Sequence, residues 1–252
     1  YIDDSVTFDT PDKPEILFQA GKACGEFQRL LADYPVKSLF ITIPHFHNTV
    51  NRYKIFKNSI EANAAGRRDE IKDIIEEYLG FEDVATGMYK MQIQGKLPLR
   101  VTHNDTKCNN VLFDKTTLEH LAVIDLDTVM PGLAAFDFGD AIRFGANTCA
   151  EDERNTAEVK LDFDKYEAFT SGFVSEIKDS LTDNEKKTLA LGAVTMSVEC
   201  GMRFLTDYLD GDKYFKIDYA DHNLIRSGCQ LALAKNMLQN LGKMQKIVEK
   251  YC

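Results

Sequence analysis

The sequence predicts an α+β domain that is mostly helical, with one small β island. Three observations predict it. Apolar residues recur at helical spacing before residue 94 and again after residue 135. Three short apolar or β-branched runs lie between them, Leu99–Thr102, Asn110–Phe113 and Leu121–Ile124. The polar residues suited to chemistry crowd into the loops that join those runs.

Each element follows from its residues. Residues 1–13 are polar, hold four aspartates and read as a linker or hinge; residues 14–252 form the domain. Asp12 is placed to cap a helix starting near Pro14. Its buried stripe is Ile16, Leu17, Ala20, Ala23, Cys24, Phe27, Leu30 and Leu31, and Gly21 and Gly25 suit close packing against a neighbouring helix. Residues 35–60 contain Pro35, Pro44, His45 and His47 without a clear period and read as irregular. No acidic residue or cysteine lies near the two histidines in sequence, so metal ligation there is not expected. Gly66 to Leu79 reads as a charged helix, and another covers roughly 81–94. After the β island come helices at about 135–145, 163–179, 184–210 and 217–249.

The chain has 252 residues, 44% hydrophobic and 28% charged, which suits a folded domain and argues against disorder. A formal net charge of −10 disfavours nucleic acid and anionic membrane as partners, though it leaves room for a nucleotide in a locally positive site. The six cysteines show no C-x-x-C pair and read as reduced thiols of a cytoplasmic protein. Leu189–Val198 is too short to span a bilayer, and no signal peptide is recognisable.

The chemistry concentrates in Val-Thr-His103-Asn-Asp105-Thr-Lys107-Cys-Asn-Asn110, followed by Ile-Asp125-Leu-Asp127. Phosphoryl transfer needs one carboxylate to take or orient the acceptor's proton, and oxygen ligands for magnesium. Asp105, Asn110 and Asp125 supply two carboxylates and an amide oxygen at the mouths of short strands. A lone Asp or Asn at a strand end is usually a turn residue. Three at these spacings, with His103 and Lys107, are not explained that way.

The pattern His-x-Asp-x-x-x-x-Asn, then Ile-Asp fifteen residues on, resembles the aminoglycoside phosphotransferase and choline kinase family. The resemblance implies the large, C-terminal lobe of a protein-kinase-like fold, with ATP and Mg²⁺ as cofactors. It implies Asp105 as catalytic base, His103 as a brace of the catalytic loop and Lys107 as a contact to the γ-phosphate. Asn110 and Asp125 would hold the metal, with Asp127 assisting it or bracing the loop. Val-Ile-Asp-Leu-Asp-Thr-Val-Met-Pro-Gly, Asp137-x-Gly-Asp140, Arg143-x-Gly-Ala-Asn-Thr148 and Arg203-Phe-Leu-Thr-Asp-Tyr-Leu-x-Gly-Asp-x-Tyr214 narrow it toward N-acetylhexosamine 1-kinases. In that branch the acceptor is the anomeric hydroxyl, and Arg203 and Tyr214 would touch the sugar.

Each of these has a plainer structural reading. Arg203 would pair with Glu199 or Asp207, and Tyr214 would be core. Asp137 and Asp140, with Arg143 near the site, would cap a helix or brace the catalytic loop. Two other functions stay open: a kinase of choline, homoserine, methylthioribose or an aminoglycoside, and a silent sugar-binding module. The small β-rich lobe of the family is not recognisable before residue 14. The expectation is therefore a chain starting near the hinge, weak or inactive alone, that self-associates through the surface a missing lobe would leave.

Overall fold

A computed structural model describes residues 2–252. It opens with a two-residue strand, β1 (Ser5–Val6), and a long helix, α1 (Pro14–Leu30). Helices α2 (Thr49–Ala62), α3 (Lys72–Gly80) and α4 (Glu82–Ile93) follow. The β island holds β2 (Arg100–Thr102), β3 (Val111–Asp114), β4 (His120–Val123) and β5 (Met130–Gly132). The chain then returns to helices α5 (Ala134–Gly145), α6 (Phe163–Ile177), α7 (Asp183–Asp210), α8 (His222–Gln239) and α9 (Leu241–Tyr251).

The strands form two antiparallel patches. One is ordered β1-β3-β4; the other pairs β2 with β5. Val6 lies opposite Phe113, and the Phe8 ring meets Phe113 edge-on at 5.3 Å between centroids. Within the segment before α1, Ser5–Val6 thus add a short strand to the sheet, and Phe8 packs beside it. Asp12 does not cap α1. The N-cap position is Lys13, whose side chain has no acceptor to offer, and Pro14 opens the helix with its preset φ.

Helix packing explains the small residues of α1. A side chain on Gly21 would strike the Phe169 carbonyl of α6, and one on Gly172 would strike the Phe18 carbonyl. Backbones approach closely there because no Cβ intervenes. The same device joins α5 to α7, where Gly139 and Gly192 lie against each other's helices. Around these crossings Phe138, Tyr166, Phe169 and Phe173 form an aromatic core with centroids 5.6–6.0 Å apart.

Four elements depart from expectation. Helix α2 occupies the segment read as irregular. Its buried face is Thr49, Tyr53, Phe56 and Ser59, so the stripe has polar ends that hydrophobic periodicity does not register. The Asn48 side chain caps it by accepting from Asn51 N–H at 2.9 Å. The charged helix begins later, as a short 3₁₀ turn at Arg68–Glu70 followed by α3, and Ile71 breaks the two apart. Strand β5 contains Pro131, tolerated because its ladder has only two strands. The last helix splits at Asn240, whose amide bonds back to the Asn236 carbonyl at 2.8 Å.

All six cysteines are free thiols. No helix among the described residues is long and apolar enough to cross a membrane.

The glycine crossing gives a stability test. Gly192→Ala should lower unfolding free energy by about 1–3 kcal/mol through overpacking. Gly87→Ala, in α4 with open space around it, should instead stabilise by about 0.5–1 kcal/mol. Urea unfolding of both variants checks this.

Candidate active site

The β2–β3 connection, residues 103–110, is held from below by one buried carboxylate. Asp137, in the first turn of α5, is only 1% exposed. It accepts N–H bonds from His103 at 3.0 Å, Asn104 at 2.7 Å and the Gln28 amide at 2.7 Å. Its backbone carbonyl also accepts from the Thr106 hydroxyl at 2.5 Å. Asp137 therefore braces this loop and does not cap a helix; the N-cap of α5 is Leu133.

The loop needs that support. Asn104 has a left-handed backbone, φ 66°, which Asn tolerates better than most residues. Its side-chain amide donates to the carbonyls of Thr128 at 2.9 Å and Thr102 at 3.2 Å. Next door, His103 Nε2 donates to the Ile124 carbonyl at 2.9 Å, and Nδ1 accepts the Asp105 N–H at 3.3 Å. Those two partners assign His103 its neutral, Nε2-protonated form.

Asp105 and Asn110 meet directly. Asn110 Nδ2 donates to the Asp105 carbonyl at 2.8 Å and to its carboxylate at 3.2 Å. This fixes the amide so that Asn110 Oδ1 faces away from Asp105. Lys107 Nζ lies 3.3 Å from the same carboxylate. Burial pushes the Asp105 carboxyl above the usual carboxylate range, repulsion from Asp140 adds to it, and Lys107 opposes it.

Ile124 joins the second loop to the first. Its N–H donates to the Asn110 carbonyl at 2.9 Å while its carbonyl takes the His103 proton. Asp125 comes next, exposed and left-handed at φ 61°. Asp127 is also exposed, in the turn Leu126–Thr128; its backbone carbonyl accepts from the Thr42 hydroxyl at 3.0 Å. Among the described residues, no three His, Cys, Asp or Glu side chains cluster closely enough to hold a metal unaided.

Asp140 is 3% exposed and grips Arg143 through one oxygen, at 2.8 Å to Nε and 2.7 Å to Nη2. Its other oxygen is buried without a partner. Arg143 also reaches Glu151 at 3.1 Å. Burial alone would lower the Arg143 guanidinium, but Asp140 and Glu151 overcome it and hold the group firmly charged.

Arg203 and Tyr214 line a cavity of about 120 Å³, together with Arg52, Thr206, Asp207 and Phe215. Neither plainer reading holds. Arg203 makes no ion pair among the described residues, because its two presumed partners are occupied. Glu199 binds His47 at 2.7 Å and the Thr49 hydroxyl at 2.6 Å. Asp207 accepts the backbone N–H groups of Lys213, Tyr214 and Phe215 at 2.8–2.9 Å, shaping the loop after α7. Arg203 instead faces the rings of Phe215 at 5.4 Å, Phe46 at 5.6 Å and Tyr214 at 6.0 Å. Tyr214 is not core, being 71% exposed. Burial and the neighbouring Arg203 charge both depress the Arg52 guanidinium.

Sequence reasoning missed Gln28, Phe46, His47 and Arg52. Their only linear signal was the His45–His47 pair, which suggests a metal and nothing else.

Comparison with known proteins shows the family and the fold. The family described as "APH: Phosphotransferase enzyme family" matches residues 3–169. An ethanolamine kinase from Plasmodium vivax aligns over 89% of this chain and 62% of its own, at 16% identity and TM-score 0.51. The chain therefore spans less than two thirds of that relative's length. A choline kinase from Cryptosporidium parvum aligns over 100% of this chain and 73% of its own, at 15% identity and TM-score 0.54. An aminoglycoside phosphotransferase from Alicyclobacillus acidocaldarius aligns over 97% and 70%, at 14% identity and TM-score 0.54. The fold is shared with these protein-kinase-like enzymes.

The Asp105 shift makes a signed prediction. Its folded pKa lies above its unfolded value, so the ionised carboxylate costs stability above the folded pKa. That cost disappears as pH falls through the folded value. Asp105→Asn should raise the thermal midpoint at pH 8, by an amount that shrinks toward pH 4, as read by calorimetry.

Proposed function

Because the chain belongs to the phosphotransferase enzyme family, we propose that it carries the acceptor-binding and base-bearing part of a small-molecule kinase. The donor is the γ-phosphoryl group of ATP. The acceptor is a sugar hydroxyl, with the anomeric hydroxyl of an N-acetylhexosamine favoured by the sequence motifs. The single observation that carries this reading is Asp105, a half-buried carboxylate flanked by Lys107 and Asn110.

The reaction assigns each group a task. The acceptor oxygen attacks the γ-phosphorus as its proton passes to Asp105, and the bond from phosphorus to the ADP oxygen breaks. A raised pKa suits Asp105 to accept that proton. Lys107 is close enough to exchange the carboxylate for a phosphate oxygen. Magnesium would neutralise phosphate charge here. The donors fit it: Asn110 Oδ1 has no protein donor on it among the described residues, and the Asp125 carboxylate is exposed one residue beyond the Ile124 joint. Two oxygen donors suffice for a cation that takes its remaining ligands from phosphates and water.

The acceptor pocket favours a sugar over an amine. Two of the structural relatives are named as ethanolamine and choline kinases. Arg52 and Arg203 repel each other in the 120 Å³ cavity. Of its two aspartates, Asp207 is engaged by three backbone N–H groups and Asp210 accepts the Ser59 hydroxyl. A cationic acceptor would therefore meet two guanidinium groups with no carboxylate wholly free to offset them. Guanidinium donors, and the Tyr214 ring beside them, suit hydroxyl and acetamido oxygens.

A panel of N-acetylglucosamine, N-acetylgalactosamine, choline and ethanolamine, with the full gene product and Mg-ATP, tests this by phosphorus NMR. The expected product is a sugar phosphate coupled to the anomeric proton. Turnover of choline or ethanolamine alone contradicts the reading. Arg203→Ala should lower kcat/KM for the sugar by about 10²-fold through lost positioning. Asp105→Asn should lower kcat by about 10²–10⁴-fold.

A further inference from the structure

His47 occupies an unusual place between the acceptor pocket and the base. It sits in the turn before α2, and its ring is nearly buried. Nδ1 lies 2.7 Å from the Glu199 carboxylate of α7, and Nε2 lies 3.0 Å from the backbone carbonyl of Asn104. Both partners are acceptors. Glu199 is ionised: burial pushes it up, but His47, Thr49 and Arg52 outweigh burial and hold it below the usual range. With a carboxylate on one side and a carbonyl on the other, both ring nitrogens must donate, so the ring carries a proton on each.

The carbonyl it grips belongs to the peptide that leads into Asp105. Asp137 holds the N–H of Asn104 and His47 holds its C=O, so the left-handed residue is clamped at both ends. The Asn104–Asp105 peptide plane sets the direction in which the Asp105 side chain leaves the backbone. A tilt of that plane moves the carboxylate relative to an acceptor hydroxyl.

Phe46, the residue before His47, reaches the acceptor side. The Phe46 ring faces Arg203 at 5.6 Å, and Arg52 donates twice to the Phe46 carbonyl, at 3.1 and 2.8 Å. Glu199 lies one helical turn before Arg203 on α7. Phe46 and His47 thus tie the arginine pocket to the catalytic loop through a chain of named contacts.

We propose that His47 is a positioning residue: a doubly donating strut between Glu199 and the Asn104 carbonyl that aims Asp105 at the acceptor. This deepens the kinase reading and rests on Asp105 as its base. The strut has two bonds with different consequences, and the Asn104 bond is the one that acts on Asp105.

Two near-isosteres separate them. In His47→Gln the amide nitrogen can take the place of Nε2 and keep the bond to Asn104. In His47→Asn it takes the place of Nδ1 and keeps only the bond to Glu199. With the full gene product, His47→Asn should lower kcat by about 30–100-fold with little change in KM for ATP. His47→Gln should stay within about 5-fold of the parent. Amide hydrogen exchange, which needs no turnover, should quicken at Asp105 and Thr106 by about 10-fold in His47→Asn and little in His47→Gln. Equal losses of kcat in both variants, or exchange at Asp105 unchanged in His47→Asn, would overturn the strut. If the parent phosphorylates no acceptor, the kinase reading fails, and the exchange result still decides whether His47 holds the loop.

Discussion

The Asp137 carboxylate and the three N–H groups it accepts are the interaction on which the rest of the site depends. Residues 103 and 104 supply two of those groups and Gln28 of α1 the third, so one buried side chain joins α1, α5 and the 103–110 loop. A carboxylate removed from water is costly unless its oxygens are fully engaged. Here two of the three donors are backbone N–H groups, which ties satisfaction of the buried carboxyl to one loop shape. That shape places the Asp105 carboxylate against Asn110 and Lys107 and lets Ile124 join the two loops.

Helix packing delivers these groups to one another. Close approach of α5 to α7 at Gly139 and Gly192 carries Asp137 and Asp140 into the interior alongside the turn of α7 that bears Glu199 and Arg203. Asp140, which holds Arg143 and through it Glu151, also raises the Asp105 carboxyl. The same packing that hides the core therefore also sets the electrostatics of the loop.

Much of the fold was legible in the residues because the buried faces are apolar and regular. Helices α1, α5, α6 and α7 carry such faces, and the Gly21 and Gly25 contacts follow from small residues on one of them. Helix α2 was not legible because Thr49 and Ser59 occupy the ends of its buried stripe, and β5 was not because Pro131 interrupts it. Asp105 and Asn110 meet, and Ile124 ties the loop that bears Asp125 to theirs, because these loops are short and close in sequence. His47 was not legible, because its partners lie 57 and 152 residues away, and only the folded chain brings them together. For the same reason the plainer alternative for Arg203, an ion pair with Glu199 or Asp207, is not formed: both carboxylates are engaged by groups distant in sequence or on the following loop.

The account stands on two loops facing one phosphoryl group while Asp105 faces the acceptor. A crystal structure of the full gene product with Mn²⁺, a non-hydrolysable ATP analogue and N-acetylglucosamine addresses that directly, because manganese is located by its anomalous signal. The account predicts the metal on Asn110 Oδ1 and the Asp125 carboxylate, with an acceptor hydroxyl within hydrogen-bond reach of Asp105. Metal bound away from both residues, or an acceptor oxygen beyond that reach, would contradict it.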